Sequence, residues 1–203
     1  MPIVTILLIA VTCGVSITAM QNPRYFEMFC FESRAVRRGE YYRLVTHGFI
    51  HADGQHLLFN MVTLFFFGRI MERFVSHFVT GFGFAVFYLA AIALSIVPSF
   101  ISHRNDPSYR CIGASGAVSA VLFAYILLAP WSTIYVFFFP IPAIVFAGLY
   151  TAYGLYAQRM GDTHINHSAH LWGGAFGILF VLVLVPQSGP AFVSKLLSPG
   201  AGL

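Results

Sequence analysis

Long apolar stretches alternate with short polar ones along this chain. Six apolar runs stand out, at about residues 3–20, 55–75, 79–101, 113–130, 133–157 and 169–186. Each approaches the roughly 20 residues that cross a bilayer as a helix. Backbone groups inside lipid must bond within their own segment, which favours helices. The pattern therefore predicts an all-α polytopic membrane protein with six transmembrane helices, in a single domain over residues 1–203.

The remaining segments differ in character. Residues 21–53 mix charged and aromatic side chains, which indicates a structured element lying in the membrane interface. The short joint 129–132 predicts antiparallel neighbours, and Pro140 and Pro142 are expected to distort the fifth helix. Residues 187–203 are predicted to form a small, flexible tail.

Composition narrows the class of protein. Of 203 residues, 58% are hydrophobic and 9% are charged, whereas soluble domains carry roughly 25% charged residues. The net charge of +4 forms no basic stripe, so nucleic-acid binding is not indicated. Cys13, Cys30 and Cys111 have no metal-binding spacing, and a disulfide between the last two stays open. The first helix lacks a basic leader and is expected to be retained.

Counting membrane crossings brings the polar groups of three helices to one side. The second, fourth and sixth helices all start there, with His56, Ser115 and His170 near their respective starts. Polar side chains within a membrane are costly and tend to be functional. Ser115 lies five residues after Arg110, about 7 Å below that charge along a helix. We therefore expect a site below the surface that water can reach.

Ser115 and His170 are a candidate nucleophile and base. Gly173 and Gly177 share the helix face of His170 and permit a close helix crossing. The small residues around Ser115 suit simple packing as well as a site. If the fourth and sixth helices are neighbours, His170 can take the serine proton and return it to a leaving amine.

No acidic residue is clearly within reach of His170. Asp162 is the nearest along the chain and is expected in a loop, so a dyad is the better hypothesis. Asn166 and Ser119 are candidates for orienting the imidazole, although Ser119 also suits packing.

Other polar residues have competing interpretations. His56 and Asn60 share a face and can donate to an oxyanion, or can bond one another or hold a loop. Several histidines cluster near these helices, but HExxH is absent and carboxylates are few, so no metal or other cofactor is predicted. Glu72 lies between Arg69 and Arg73, which favours local charge pairing.

Taken together, the motifs resemble those of the rhomboid family of intramembrane serine proteases, over about residues 40–177. The matching residues are His51, His56 and Asn60 of HxxxxHxxxN, Gly68 and Glu72 of GxxxE, Gly113, Ser115 and Gly116 of GxSG, and Ala169, His170, Gly173 and Gly177 of AHxxGxxxG. Any one motif is weak, whereas their order on three helices is specific.

The resemblance implies a six-helix rhomboid-like bundle with a water-filled cavity and a membrane-embedded hairpin between the first two helices. It implies Ser115 as nucleophile, His170 as general base, and an oxyanion site of His56, Asn60 and the Ser115 backbone amide, beside Gly113. His51, Gly173, Gly177 and Ser119 would be supporting residues. Substrates would be transmembrane segments of other proteins in the lipid bilayer.

Two positions depart from the family pattern. Tyr42-Arg43 replaces a frequent Trp-Arg, and Ser119 occupies a position where an aromatic residue often supports the histidine. The resemblance, in its bacterial form, also implies an inner-membrane protein whose site opens to the periplasmic or extracellular side. The distribution of arginines favours the reverse orientation.

Two alternatives remain: a catalytically silent rhomboid-like binder of transmembrane segments, and a transporter with a histidine proton relay. The transporter should show inverted repeats, and none is evident in the sequence.

Overall fold

The computed structural model describes residues 2–79, 81–136, 138–160 and 166–198, and it is mostly helical. The helices are α1 (Ile3–Gln21), α2 (Pro23–Phe29), α3 (Ser33–Arg37), α4 (Arg43–Thr46), α5 (Gly54–Thr63), α6 (Arg69–Phe78), α7 (Gly83–Ser102), α8 (Ser115–Leu128), α9 (Ala143–Arg159), α10 (His167–Leu184) and α11 (Ser188–Leu197). The strands are β1 (Phe31–Glu32), β2 (Arg110–Cys111), β3 (Thr133–Val136) and β4 (Phe139–Pro142). Within the described ranges, α1, α7 and α10 are long and apolar enough to cross a membrane, and α8 is a shorter apolar helix.

The second predicted helix is a composite. A π-helical turn, Leu64–Gly68, joins α5 to α6, so helical structure runs without a break from Gly54 to Phe78. Asp53 starts the segment, because its side chain accepts a hydrogen bond from the His56 N–H at 2.7 Å. A Cβ at Gly68 would come within 3.0 Å of the Thr5 methyl, so this glycine allows α1 to approach closely.

Helix α1 is apolar outside and polar inside. Its buried residues are small, namely Thr5, Thr12, Ser16 and Ala19, whereas Ile3, Leu7 and Val11 are about half exposed. Lipid is as apolar as leucine, so membrane helices gain by turning small and hydroxylated residues toward one another.

Glu72 holds the start of α1. Its carboxylate accepts hydrogen bonds from Val4 N at 3.0 Å, from Thr5 N at 2.7 Å and from Thr5 Oγ1 at 2.6 Å. The first N–H groups of a helix have no partner within it, and a carboxylate there also complements the helix dipole. The prediction that Glu72 pairs with neighbouring arginines is therefore wrong: in the described part of the chain it forms no ion pair.

One arginine, Arg43, links several parts of the segment between α1 and α5 by hydrogen bonds. Arg43 is buried; its Nη1 donates to the Glu27 and Cys30 carbonyls at 2.7 Å each, and its Nε donates to Glu40 at 2.7 Å. The hydrogen bond from Arg43 lowers the pKa of the Glu40 carboxyl.

A short two-stranded ladder fastens this segment to the loop before α8. Strand β1 pairs with β2 in antiparallel register, Phe31 opposite Cys111 and Glu32 opposite Arg110. Cys30 and Cys111 are free thiols. Helix α8 follows directly and is buried along most of its length, with α10 and α7 against it.

The fifth predicted helix, 133–157, is wrong in its first ten residues. Strands β3 and β4 form an antiparallel hairpin there, with Tyr135 opposite Pro140 and Thr133 opposite Pro142, and α9 begins at Ala143. Proline lacks an N–H and clashes with the preceding turn of a helix, yet it is tolerated in an edge strand, and both strands of a two-stranded sheet are edges. Pro140 and Pro142 therefore exclude the helix instead of distorting it, and the joint is longer than 129–132.

The tail is also not simply flexible, because Ser188–Leu197 forms α11. Lys195 Nζ donates to the Leu128 carbonyl at 2.5 Å, and Trp131 Nε1 donates to the Lys195 carbonyl at 2.9 Å. The last carbonyls of α8 lack helical partners, so a lysine there satisfies one and complements the dipole. Residues 199–203 of the predicted tail lie outside the described residues.

Candidate active site

Two helix starts bring Ser115 and His170 together. Ser115 is the first residue of α8 and His170 is in the first turn of α10. His170 Nε2 lies 2.6 Å from Ser115 Oγ, within hydrogen-bond distance. Both residues are partly exposed.

Glycines let α8 and α10 cross at this point. A Cβ at Gly173 would overlap the Gly116 carbonyl oxygen, and a Cβ at Gly177 would overlap that of Ala120. At Gly116, a Cβ would overlap the Ser95 hydroxyl of α7. The small residues around Ser115 and His170 therefore pack backbone against backbone, and this spacing sets how far apart the two side chains lie.

His51 holds the backbone that leads into α8. The Ser16 hydroxyl donates its single proton to the Phe49 carbonyl at 2.8 Å, and Ser16 Oγ also lies 2.9 Å from His51 Nδ1. His51 Nδ1 must then be the protonated nitrogen, which leaves Nε2 to accept the Ala114 N–H at 3.3 Å. Thus α1 is linked through a fully buried imidazole to the residue before Ser115. Ser16 has no sequence signal beyond its place on the polar face of α1.

His56 lies against Gly113. The Gly113 backbone has φ +109°, and a Cβ there would be 2.8 Å from His56 Cε1. Both the left-handed backbone and the adjacent ring require glycine. The His56 ring also meets the His51 ring edge to face, with centroids 5.0 Å apart.

Asn60 is buried one turn after His56, and its Nδ2 donates to the His56 carbonyl at 2.9 Å. An amide nitrogen carries two protons, so this bond engages one of them. The contacts described for Asn60 include none with Ser115. The structure thus places the His56 ring against Gly113 in the loop before Ser115, and Asn60 bonds to the His56 backbone one turn later.

Tyr150 lies beside His170, and no sequence pattern singles it out as a site residue. Its ring stacks on the His170 imidazole, with centroids 6.1 Å apart and planes 18° from parallel. Its hydroxyl lies 2.9 Å from Ser119 Oγ. A pocket of about 160 Å³ between α9 and α10 is lined by both rings. Ser119 is therefore linked to His170 through the Tyr150 side chain. The aromatic residue beside the histidine belongs to α9 and not to α8.

Asn166 orients the start of α10, not the imidazole. Its Oδ1 accepts from Ala169 N and from Ser99 Oγ at 3.0 Å each, and its Nδ2 donates to Tyr109 Oη at 2.9 Å. As the residue before the helix, it satisfies an otherwise unpaired N–H and ties α10 to α7. This fixes the helix that carries His170.

Among the described contacts of Ser115 and His170, none involves a carboxylate. Asp162, the acidic residue nearest to His170 along the chain, lies outside the described residues. His164 also lies outside them. Among residues the structure describes, no group of three or more histidine, cysteine or acidic side chains is arranged to hold a metal ion.

The fold and the site define a class of protein: helical membrane proteins in which a serine and a histidine at two helix starts are in contact. The family comparison agrees, because the sequence model of the Rhomboid domain matches residues 38–187. The chain belongs to the rhomboid family.

Curated relatives give the same result. A mitochondrial RHOMBOID-like protein 12 of Arabidopsis thaliana is 33% identical over 151 residues, 68% of this chain and 45% of its own length. The chloroplastic Rhomboid-like protein 16 of Arabidopsis thaliana is 33% identical over 143 residues, 64% of this chain and 44% of its own. A rhomboid relative from Bacillus subtilis is 32% identical over 94 residues, 46% of this chain and 44% of its own.

The chain thus spans less than half the length of these relatives. Their names place two of them in mitochondria and chloroplasts, so the expected bacterial inner membrane has no support from them. An integral membrane protein of the rhomboid family is what the comparisons establish.

Proposed function

We propose that this chain is an intramembrane serine endopeptidase that cleaves transmembrane segments of other proteins. The observation that carries the proposal is the 2.6 Å contact between Ser115 Oγ and His170 Nε2 at partly exposed helix starts. Family membership supports it, since rhomboid proteins are typically serine proteases.

In the proposed reaction, His170 Nε2 takes the Ser115 proton as Oγ attacks the scissile carbonyl carbon. The resulting imidazolium gives that proton to the leaving amine, and the C–N bond breaks. Water then attacks the acyl ester, with His170 as base again, which releases the acid and restores the serine. Tyr150 would hold the imidazole plane in place of an acidic third member.

The oxyanion would be stabilised by the start of α8 together with His56 and Asn60. Ser115 and Gly116 are the first two residues of that helix, and their N–H groups have no acceptor within it. These amides and the helix dipole favour negative charge. The Ala114 N–H is engaged by His51, so we assign the oxyanion to the amides that follow it.

The finer architecture belongs to the same proposal. Six segments would cross the membrane: α1, the composite α5–α6 segment, α7, α8, α9 and α10, as one domain. The segment 21–53 would be the membrane-embedded hairpin, held by Arg43. The site would open on the extracytoplasmic side, and substrates would reach it from the bilayer.

The test is cleavage of a fluorogenic transmembrane peptide by the protein reconstituted in vesicles. Ser115→Ala and His170→Ala should each lower the rate by at least about 10²-fold. Ser108→Ala and His77→Ala change the same residue types at exposed positions away from the site and should cleave normally.

Labelling with a fluorophosphonate gives an independent readout. We expect one adduct, located on Ser115 by mass spectrometry, and its loss in His170→Ala. Cleavage retained by Ser115→Ala would contradict the nucleophile. A protein that binds the peptide but neither cleaves nor labels would be a silent binder.

A further inference from the structure

A cavity lined by arginines lies on the same side of the protein as the start of α8, apart from the serine and histidine. Its volume is about 370 Å³, and it is lined by Arg34, Arg37, Arg38, Arg104, Asn105 and Pro107. The cavity lies between α3 and the turn that follows α7. We call it the arginine cavity.

Helix α3, which forms one side of the arginine cavity, is packed against α7. On α3, Ala35 and Val36 are buried, whereas Arg34 and Arg37 are exposed, and Val36 packs in a cluster with Ile96 of α7. The Arg37 guanidinium donates to the Arg104 carbonyl at 3.1 Å, which joins the two sides. Arg34 and Arg37 are thus carried by a packed helix, and the hydrogen bond of Arg37 links that helix to the turn that carries Arg104.

Nearby carboxylates are already engaged elsewhere. Arg110 pairs with Glu27 at 2.8 Å and with Glu32 at 3.7 Å, and Arg43 pairs with Glu40 at 2.7 Å. Asp106 accepts from the Ser108 hydroxyl and N–H at 2.6 and 2.9 Å, and these bonds lower the pKa of its carboxyl.

No carboxylate lines the arginine cavity, and within the described ranges none of its four arginines forms an ion pair. Like charges held together repel, so an anion at this position would be stabilised by all four.

Guanidinium groups bind phosphate oxygens through paired N–H donors, and Asn105 adds an amide donor at the same cavity. The position of the arginine cavity favours a membrane lipid as the source of the phosphate. Arg104 is two residues past the end of α7, a helix apolar and long enough to cross the membrane. Side chains just beyond such a helix lie at the level of lipid headgroups. We propose that the arginine cavity binds the phosphate of an anionic phospholipid headgroup.

Binding is measured on the full chain in neutral detergent, with native mass spectrometry of added phosphatidylglycerol or phosphatidylcholine, and with inorganic phosphate as a competitor. Arg34→Gln/Arg38→Gln removes two cavity charges whose side chains make no hydrogen bond within the described structure. Arg24→Gln/Arg159→Gln removes two exposed charges outside the cavity and is the matched control. The unfolding temperature without lipid checks that both variants are folded.

We expect saturable binding of phosphatidylglycerol by the unmodified protein. It should weaken about 25-fold in the cavity variant, at about fivefold per arginine, and should be unchanged in the control. Equal weakening in both variants would overturn the cavity assignment in favour of overall charge. Equal binding of phosphatidylcholine, or equally tight binding of inorganic phosphate, would overturn the anionic-lipid assignment. These readouts do not depend on proteolysis, so they stand apart from the proposed function.

Discussion

The crossing of α8 and α10 predicts a large effect from a single methyl group. In Gly173→Ala, the new Cβ would lie 2.8 Å from the Gly116 carbonyl carbon and 3.1 Å from its Cα. Non-bonded carbons normally sit about 3.5–4.0 Å apart, so the helices must separate by about 1 Å. His170 Nε2 and Ser115 Oγ are 2.6 Å apart. A further separation of about 1 Å would take these two atoms beyond hydrogen-bond distance. Misplacement of this size costs about 10²-fold in rate.

The assay compares kcat and fluorophosphonate labelling of Gly173→Ala with those of Gly148→Ala in vesicles. Gly148 is in α9, and a Cβ there meets nothing within 4 Å, so its variant should match the unmodified protein. A Gly173→Ala protein that cleaves and labels within about threefold of the unmodified protein would refute the reasoning. The close crossing would then not set the Ser115–His170 geometry.

Three further perturbations follow from the structure. Tyr150→Phe should lower kcat about fivefold through the lost hydroxyl bond, and Tyr150→Ala about 10²-fold through the lost ring on His170, both with KM little changed in peptide assays. Glu72→Ala leaves the α1 donors unpaired and should lower the free energy of unfolding by about 1–3 kcal/mol, as measured by denaturant titration, while exposed Arg73→Gln should not. The Glu40 pKa is lowered in the fold, so its stabilising effect is complete above the ordinary value and is lost as pH falls through the folded value. Glu40→Gln should therefore lower the unfolding temperature at about pH 7 but not at about pH 2, and an equal effect at both would count against the Arg43 ion pair.

The pairing of Ser115 with His170 could be predicted because its determinants are local. Each residue opens an apolar run, and the glycines beside them mark the helix faces that approach. Because membrane crossings alternate in direction, counting the six apolar runs predicts that the two helix starts lie on one side. This prediction depends on the number of apolar runs and not on their exact boundaries. The strands that precede α9 therefore leave it unchanged.

Tyr150 and Glu72 could not be found in the same way. Which residue of α9 faces His170 depends on where that helix begins, and a hairpin that the hydropathy pattern does not distinguish from helix moves its start to Ala143. Glu72 bonds to Thr5, 67 positions earlier in the chain, whereas its arginine neighbours suggest a local partner. Contacts between distant segments leave no periodic signal in either segment.

The order of synthesis determines when the buried hydroxyls of α1 meet their hydrogen-bond partners. Ser16 is made before its partner His51, and His51 before the Ala114 amide that it binds, while Thr5 precedes Glu72. Thr5 and Ser16 of α1 are thus each bonded by a residue that is made later, and His170 comes after all of these partners. A nascent chain therefore holds Ser115 without its hydrogen-bond partner His170 until α10 has been translated. On the proposed chemistry, the growing protein stays unreactive toward its own helices while they are being inserted.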